Sequence, residues 1–563
     1  MKKLRNLIGL VLVTVMLLGT FAGCNLGIET GGGEDIDEAK TQLYIAMPDD
    51  GWGTAGMYAM KDMFEEEYKD VSFEEGKMGV QVVIDSDKMS YAGTNLISML
   101  GSTTNEVFFS SMIAYHRYAT DKFLDITDIV TADMADVGEP GKTILGKING
   151  DNKEYYKINN KYYALPHTVA FPGLHYNVDL FEDNLLYFAK NANNGNQGFV
   201  RTPVDKRGTG PDGIEGTYDD GLPRTYDEFF KLCDRMKSMN ISPWINVSGR
   251  YAGYTNDFLA SLWVDYEGAE QAKMRFTMNG TATHIVDSID SNGNVTFKGN
   301  GNYTITDANA YELYQQAGTY YAMTFLEKII KNNYYASNTF LGSASHTSIQ
   351  ADFVYTGVVP GVEKVAMLAE SSWWYPETKD TFTSLSSTYP NADAYSRNIA
   401  VMPLPKATED KVGEKPTIAV SGDGGLCFIK NNISEGKKEL AKLFLKWCHT
   451  DRALSEYAVK AHTIRDFSFT MTDESYTQLA PWTRSLYEYL KVADIMYCYS
   501  RHDVYVGNPA SFYKEDMFWT KVNGESYRYP SEAIKDFGLS AKDYFLGMKN
   551  YYNSEFWNRF YAD

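Results

Sequence analysis

The chain has 563 residues, with 53 basic and 73 acidic side chains, a formal charge of −20, and 44% hydrophobic and 14% aromatic residues. That negative balance argues against nucleic acid and anionic lipid as partners, since both are held by basic surfaces. Length and apolar content suffice for two or more domains with layered cores.

Lys2, Lys3 and Arg5 precede an apolar run from Leu7 to about Phe21, followed by Ala22 and Gly23. This is the order of a secretory signal, and the run is several residues short of the ~20 that span a bilayer. Small residues directly before Cys24 resemble the bacterial lipoprotein signal, in which diacylglycerol alkylates the cysteine and the chain is cut in front of it. The resemblance implies a signal peptide over 1–23 and a lipidated Cys24 as the new N-terminus. Two acyl chains anchor where one does not, each buried methylene contributing about 0.8 kcal/mol. Residues 24–41, rich in glycine and carboxylates, read as a flexible tether.

Residues 42–47 read as a strand, and Met57, Met60, Phe64 and Tyr68 then recur at helical spacing. A second strand at 80–85, a helix near 94–100 and a third strand at 106–111 predict a parallel sheet. Trp52, in "DDGWG", stands at the carboxyl end of the first strand, where open α/β sheets bind ligands. Beside it, Asp49 and Asp50 are candidates for hydrogen bonds to ligand hydroxyls.

Residues 205–221 collect Asp205, Asp212, Glu215, Asp219 and Asp220 among five glycines. Dense oxygen donors on such a loop suit a structural Ca²⁺, with an acidic surface loop as the alternative. Thr225 and Glu228 make a capping box for a helix that turns Phe229, Leu232, Cys233 and Met236 to one face. Trp244, Tyr251 and Tyr254 follow in a turn-rich stretch that suits a cleft edge or ordinary rim packing.

Residues 275–306 read as a small β insertion, with hairpin turns at Asn292-Gly293 and Asn300-Gly301. A helical pattern resumes over 309–330. Trp373 and Trp374 should face opposite ways in an extended segment, with Trp374 toward the cleft. Gly424 and Gly425 either let the backbone approach a ligand or make a plain turn, while Glu370, Asp423 and Arg465 are further hydrogen-bond candidates. Ser434 caps a helix with Leu440, Leu443, Phe444 and Trp447 on one face. Cys233, Cys427, Cys448 and Cys498 have no close pair spacing and read as buried thiols.

Five segments in order carry a resemblance: "KYYALPHTVAFPGLHYNVDLF", "LPRTYDEFFKLCDRMKSMNISP", "KVAMLAESSWW", "IAVMPLP" and "SGDGGLCFIKNNISEGKKELAKLFLKW". Together they resemble the family 1 extracellular solute-binding proteins, the sugar-capturing lipoproteins of bacterial ABC importers. The resemblance implies an α/β, two-lobe periplasmic-binding-protein-like fold of type II. Lobe 1 would hold 42–167 plus 405–432, and lobe 2 would hold 172–400 plus 434–563. It also implies a carbohydrate, an oligosaccharide, held between lobes that close by hinge motion, and a permease that reads the closure. The protein would be a monomer on the outer face of the cytoplasmic membrane, with no catalytic residue and no required cofactor.

Two other readings stay open: a binding protein for peptide or another polar solute, and a surface glycoside hydrolase. A hydrolase needs two carboxylates about 5 to 9.5 Å apart. The chain carries no His-Glu-x-x-His, Gly-x-Ser-x-Gly or Walker motif.

Overall fold

The computed structural model describes residues 35–87, 95–110, 120–150, 152–193, 195–420, 425–498 and 518–559. The signal peptide, Cys24, Asp423 and Gly424 lie outside these residues.

Apolar β runs near the start build the first sheet, ordered Val80–Asp85, Thr41–Ala46, Val107–Ser110, Leu426–Ile429, Leu165–Pro166. The first three strands are parallel, as the alternation of strand and helix predicts. Leu426–Ile429 enters antiparallel, with Phe428 opposite Phe108 and their rings stacked 4.8 Å apart. These strands are buried on both faces, which is why they read as unbroken apolar runs rather than alternating ones.

The helix Ala55–Glu67 buries Met57, Met60 and Phe64. Gly56 lets the helix Asp451–Ala461 press against it, since a Cβ there would lie 2.6 Å from the Tyr457 ring. Phe64 also meets Phe444 edge-on at 4.9 Å and Trp447 at 5.4 Å. The helices Glu435–Trp447 and Asp451–Ala461 therefore belong to the first lobe, not to the second as expected. An amphipathic face shows that a helix buries one side, not which sheet receives it.

The tether expectation also shortens. Asp37 N donates to Gln81 Oε1 at 2.9 Å, and Gln81 Nε2 donates to the Asp35 carbonyl at 2.9 Å. The ordered body thus includes the last residues of 24–41.

The second sheet runs Ile399–Met402, Pro172–Asn177, Val365–Ser371, Ser242–Ile245. Pro172–Asn177 is antiparallel to both neighbours, whereas Val365–Ser371 and Ser242–Ile245 are parallel. The helix Tyr226–Ser238 starts where Thr225 Oγ1 accepts from Glu228 N. Glu228 answers not to Thr225 but to Arg224, accepting its main-chain N–H at 2.8 Å. Gly253–Glu267 and Ala317–Lys331 fill this lobe, and the C-terminal Ala541–Tyr551 packs on the latter through Tyr320 and Phe545.

The insertion forms two antiparallel pairs, Gly280–Ala282 with Tyr303–Ile305 and Val286–Ile289 with Val295–Phe297. Asn292-Gly293 turns the inner hairpin as expected. Asn300 and Gly301 do adopt positive φ of 53° and 80°, but they end and cap a short 3₁₀ turn and do not close a hairpin.

Chain crosses between the sheets from Leu165–Pro166 to Pro172–Asn177. A parallel pair, Thr417–Val420 with Asp494–Tyr497, and a bridge between Thr168 and Arg465 lie at the same junction.

Candidate functional site

The loop after the first strand of the first lobe carries Trp52, and the turn after Val365–Ser371 in the second lobe carries Trp373. The two rings meet edge to face, 5.1 Å apart at 87°. On the other side Trp52 meets His167, from the crossing segment, at 4.9 Å and 81°. Gly51 permits this approach, because a Cβ there would lie 2.8 Å from a Trp373 ring carbon and 2.9 Å from Glu377 Oε1. One residue from each lobe and one from the crossing thus share a single contact set.

This set is short of hydrogen-bond partners. Trp52 Nε1, Trp373 Nε1 and both ring nitrogens of His167 are buried with no partner among the described residues. Burial first, and the Arg465 charge second, hold His167 well below the usual imidazole range, so the ring is neutral, with one donor and one acceptor. A buried polar group left unpaired costs ~1–3 kcal/mol, and a hydroxyl-rich ligand offers partners of both kinds. His167 was not singled out from the sequence, although it lies within the quoted crossing segment.

Trp374, expected to face the cleft, is fully buried and packs against His175, Phe353, Tyr375 and Trp482. The strand ends at Ser371 and the helix Trp374–Glu377 begins at once, so alternation of faces does not apply across the junction. Trp482 Nε1 donates to His175 Nδ1 at 3.2 Å, so the proton sits on Nε2, 3.2 Å from the Glu370 carbonyl. Burial holds His175 down to about 3 and keeps that tautomer neutral. The Glu370 side chain is itself buried, with Oε1 accepting from Ser371 N at 2.8 Å.

Trp244 is core, 1% exposed beside Phe258 in the second lobe. Arg465 is fully buried in the first lobe, donating to the Cys448 carbonyl at 2.9 Å and to His449 Nε2 at 3.1 Å. Two of its nitrogens are engaged by neutral protein partners, while its Nε has none among the described residues. Tyr251 is 37% exposed and stands with half-buried Tyr254 and His346 in an aromatic cluster. Half-exposed Asp49 lies 3.9 Å from Lys379 Nζ. Gly425 adopts φ of 77° and its carbonyl accepts from His167 N at 3.2 Å.

The acidic loop does not gather its oxygens. Asp205 accepts from Arg201 N and Thr202 Oγ1, Asp212 from Ile214 N, and Asp220 from Gly216 N. Glu215 pairs with Lys190 at 2.6 Å, and buried Asp219 takes Asp212 N and Thr217 Oγ1. Among the described residues no three His, Cys, Asp or Glu side chains converge as a metal ion requires. Most of these oxygens are taken by local donors, which an ion would have to displace, while Asp220 Oδ1 is buried without a partner among the described residues.

Cys233, Cys427 and Cys448 are buried thiols, and half-buried Cys498 lies 3.8 Å from Met496 Sδ; among the described residues no disulfide joins the four. No described helix is long and apolar enough to cross a membrane.

Two α/β lobes joined by crossing strands, with an aromatic pair meeting between them, define a solute-binding fold of type II. The chain belongs to the family of bacterial extracellular solute-binding proteins, whose profile matches residues 51–453. No curated protein sequence matches it. Among solved structures it is similar to a "Chitin oligosaccharide binding protein", at 15% identity and a TM-score of 0.53, over 93% of this chain and 100% of that one. It is also similar to apo RafE from Streptococcus pneumoniae, at 14% identity and TM-score 0.51, over 94% and 100% of the two chains. A third is BlMnBP1, a binding protein of an ABC transporter from Bifidobacterium animalis subsp. lactis in complex with mannobiose, at 12% identity and TM-score 0.51, over 94% and 98%. At such identities these likenesses establish the fold.

Proposed function

We propose that this protein is the substrate-capturing component of an ABC importer and that it takes a carbohydrate, an oligosaccharide, between its lobes. The observation that carries this reading is the Trp52–His167–Trp373 contact set, which joins both lobes and leaves four buried ring nitrogens without a partner among the described residues. Aromatic faces suit the apolar C–H faces of a sugar ring, and the nitrogens suit its hydroxyls. A ligand touching both tryptophans binds the closed state better than the open one, and that difference is what shifts the population. The named ligands of the similar structures, a chitin oligosaccharide and mannobiose, favour the same class.

In this reading the protein works as a monomer, without catalysis, on the outer face of the cytoplasmic membrane. The diacylglycerol on Cys24 is its anchor and the permease its partner.

Thermal unfolding of the soluble chain from residue 25 onward, against mono- and oligosaccharides, tests the proposal. A ligand at 100 times its dissociation constant adds about 2.7 kcal/mol, which moves the midpoint by a few degrees. A shift from one glycan class, with the glycan recovered intact, supports the reading. Cleaved glycan would replace it with a hydrolase, and a shift only with peptides or other polar solutes would replace the ligand class.

A further inference from the structure

A cavity of about 230 Å³ lies where the two lobes and the crossing segments meet. Its first-lobe wall is Asn149, whose Oδ1 accepts from Ser468 Oγ at 2.5 Å. Val169 and Ile464 bring two crossings into it, joined where Val169 N donates to the Ile464 carbonyl at 2.9 Å. The second-lobe wall is the helix Pro481–Val492, tied to the second sheet by Ser485 Oγ, which accepts from Val401 N at 2.9 Å. Tyr487, Leu490 and Lys491 stand three and four residues apart on that helix and so line the cavity with one face. Neither Trp52, His167 nor Trp373 lines it, so this space is separate from the tryptophan pair.

Phe467, Phe469, Leu490 and Ile495 give the cavity an apolar lining, and an apolar cavity of ~150 Å³ already holds benzene. Arg465 and Lys491 add two cations, while no Asp or Glu among the described residues lines it, in a chain whose formal charge is −20. Arg465 is fully buried, it donates to the Cys448 carbonyl and to the neutral His449 ring, and its Nε has no partner among the described residues. Neutral partners compensate a buried cation less than an anion does, so an anion at this wall gains. Lys491 pairs with Glu488 at 3.0 Å, and both side chains are exposed, so that pair contributes little and leaves the ammonium available. Ser468 is exposed as well, and the cavity opens to water there.

We propose that this cavity is a second binding site, for a small molecule with an apolar body and one carboxylate, and that its ligand holds the lobes in the closed arrangement. The inference goes beyond solute capture and does not depend on which solute is carried. Hinge closure turns the crossing segments, so a cavity walled by both lobes and two crossings changes shape with the angle between the lobes. The shape described coexists with Trp52 touching Trp373 from the opposite lobe. A ligand fitted to that shape has a differential affinity for the closed arrangement and raises its population. By reciprocity the captured solute tightens the carboxylate, by about fivefold or more where the coupling is of ordinary size. Such a ligand sets how readily the protein captures its solute.

The test is calorimetric titration of the chain from residue 25 onward, which keeps every described residue, with phenylacetate, 3-phenylpropionate and hexanoate. The matching alcohols are the neutral controls. At least one carboxylate should bind, about fivefold or more tighter than its alcohol. Lys491→Met should remove that preference, and Leu490→Trp, which fills the cavity, should abolish binding of acid and alcohol alike. Spin labels at the exposed positions Glu75→Cys in the first lobe and Met239→Cys in the second should shift toward a single interlobe distance when the carboxylate saturates. No binding by any carboxylate, or binding that survives Leu490→Trp, would overturn the site, and unchanged distances at saturation would overturn its hold on the lobes. Lys491 is exposed, so its variant decides the matter if Leu490→Trp fails to fold. No step uses a glycan, so this proposal and the carbohydrate reading fail independently.

Discussion

Trp52 and Trp373 approach edge to face at 5.1 Å from opposite lobes, and they differ sharply in burial: Trp52 is 1% exposed, Trp373 half-buried. The same contact therefore has two costs when it is cut. Trp52→Ala removes a fully buried side chain and should lower stability by about 3–5 kcal/mol, besides weakening the ligand. Trp373→Ala should lose less stability while weakening ligand binding about 30-fold or more, the scale of an anchoring aromatic at ~2 kcal/mol. Urea unfolding with parallel titration separates the two. If Trp373→Ala binds as well as wild type, the pair is packing only.

The acidic loop gives a second expectation. Because local donors already hold one or more oxygens of each of its five carboxylates, EDTA should leave the unfolding midpoint unchanged and added Ca²⁺ should not raise it. A fall of several degrees on chelation would show that these oxygens rearrange around an ion.

Much of the first lobe was legible because its strands are short apolar runs bounded by turns, and the fixed hand of strand–helix alternation leaves few topologies. Trp52 was legible by its place after a strand. Trp373 and Trp374 are both candidates in the sequence, but alternation favours Trp374, since a change from strand to helix within three residues cannot be seen in two adjacent tryptophans. His167 gave no signal, being one of two histidines in the crossing segment, and its neighbours Trp52, Phe109 and Tyr457 come from distant parts of the chain. Arg465 misled for the opposite reason: a cation reads as a surface or ligand group until its buried partners are known.

Asp466 offers a pH test at the junction between lobes. Its carboxylate accepts from Asn149 and Asn152 side chains at 3.0 and 2.7 Å and from the Tyr497 hydroxyl at 2.8 Å. Burial outweighs these three donors and pushes it up to about 6 from the ordinary 3.8. The folded state then holds a proton between those values that the unfolded chain has released. Stability from this group is therefore greatest at low pH and is lost as pH rises from about 4 to about 6. The difference amounts to roughly 3 kcal/mol, taking about 1.4 kcal/mol per pH step. Asp219, raised to about 6 chiefly by burial, adds a slope of the same sign. Asp466→Asn should flatten the change in unfolding free energy between pH 4.5 and 7, leaving the part due to Asp219. An unaltered slope in that variant would assign the titration elsewhere.

Lys406 and Asp265 hold the segment between the lobes to the helix Gly253–Glu267. The Lys406 Nζ lies 2.9 Å from Asp265 Oδ1, with the side chains only 2% and 5% exposed. Asp265 Oδ1 also accepts from Thr417 N at 3.0 Å, so the carboxylate fixes the start of Thr417–Val420 as well. Desolvating two charges offsets most of their attraction, whereas removing one leaves the other buried and uncompensated, at ~3–5 kcal/mol. Asp265→Leu should therefore destabilise by that amount, and Lys406→Met somewhat less, since Asp265 keeps Thr417 N. The double variant Asp265→Leu with Lys406→Met should recover part of the loss, because neither charge is then stranded. Denaturant unfolding of all three variants closes the cycle, and strictly additive losses would mean that the two charges do not depend on each other.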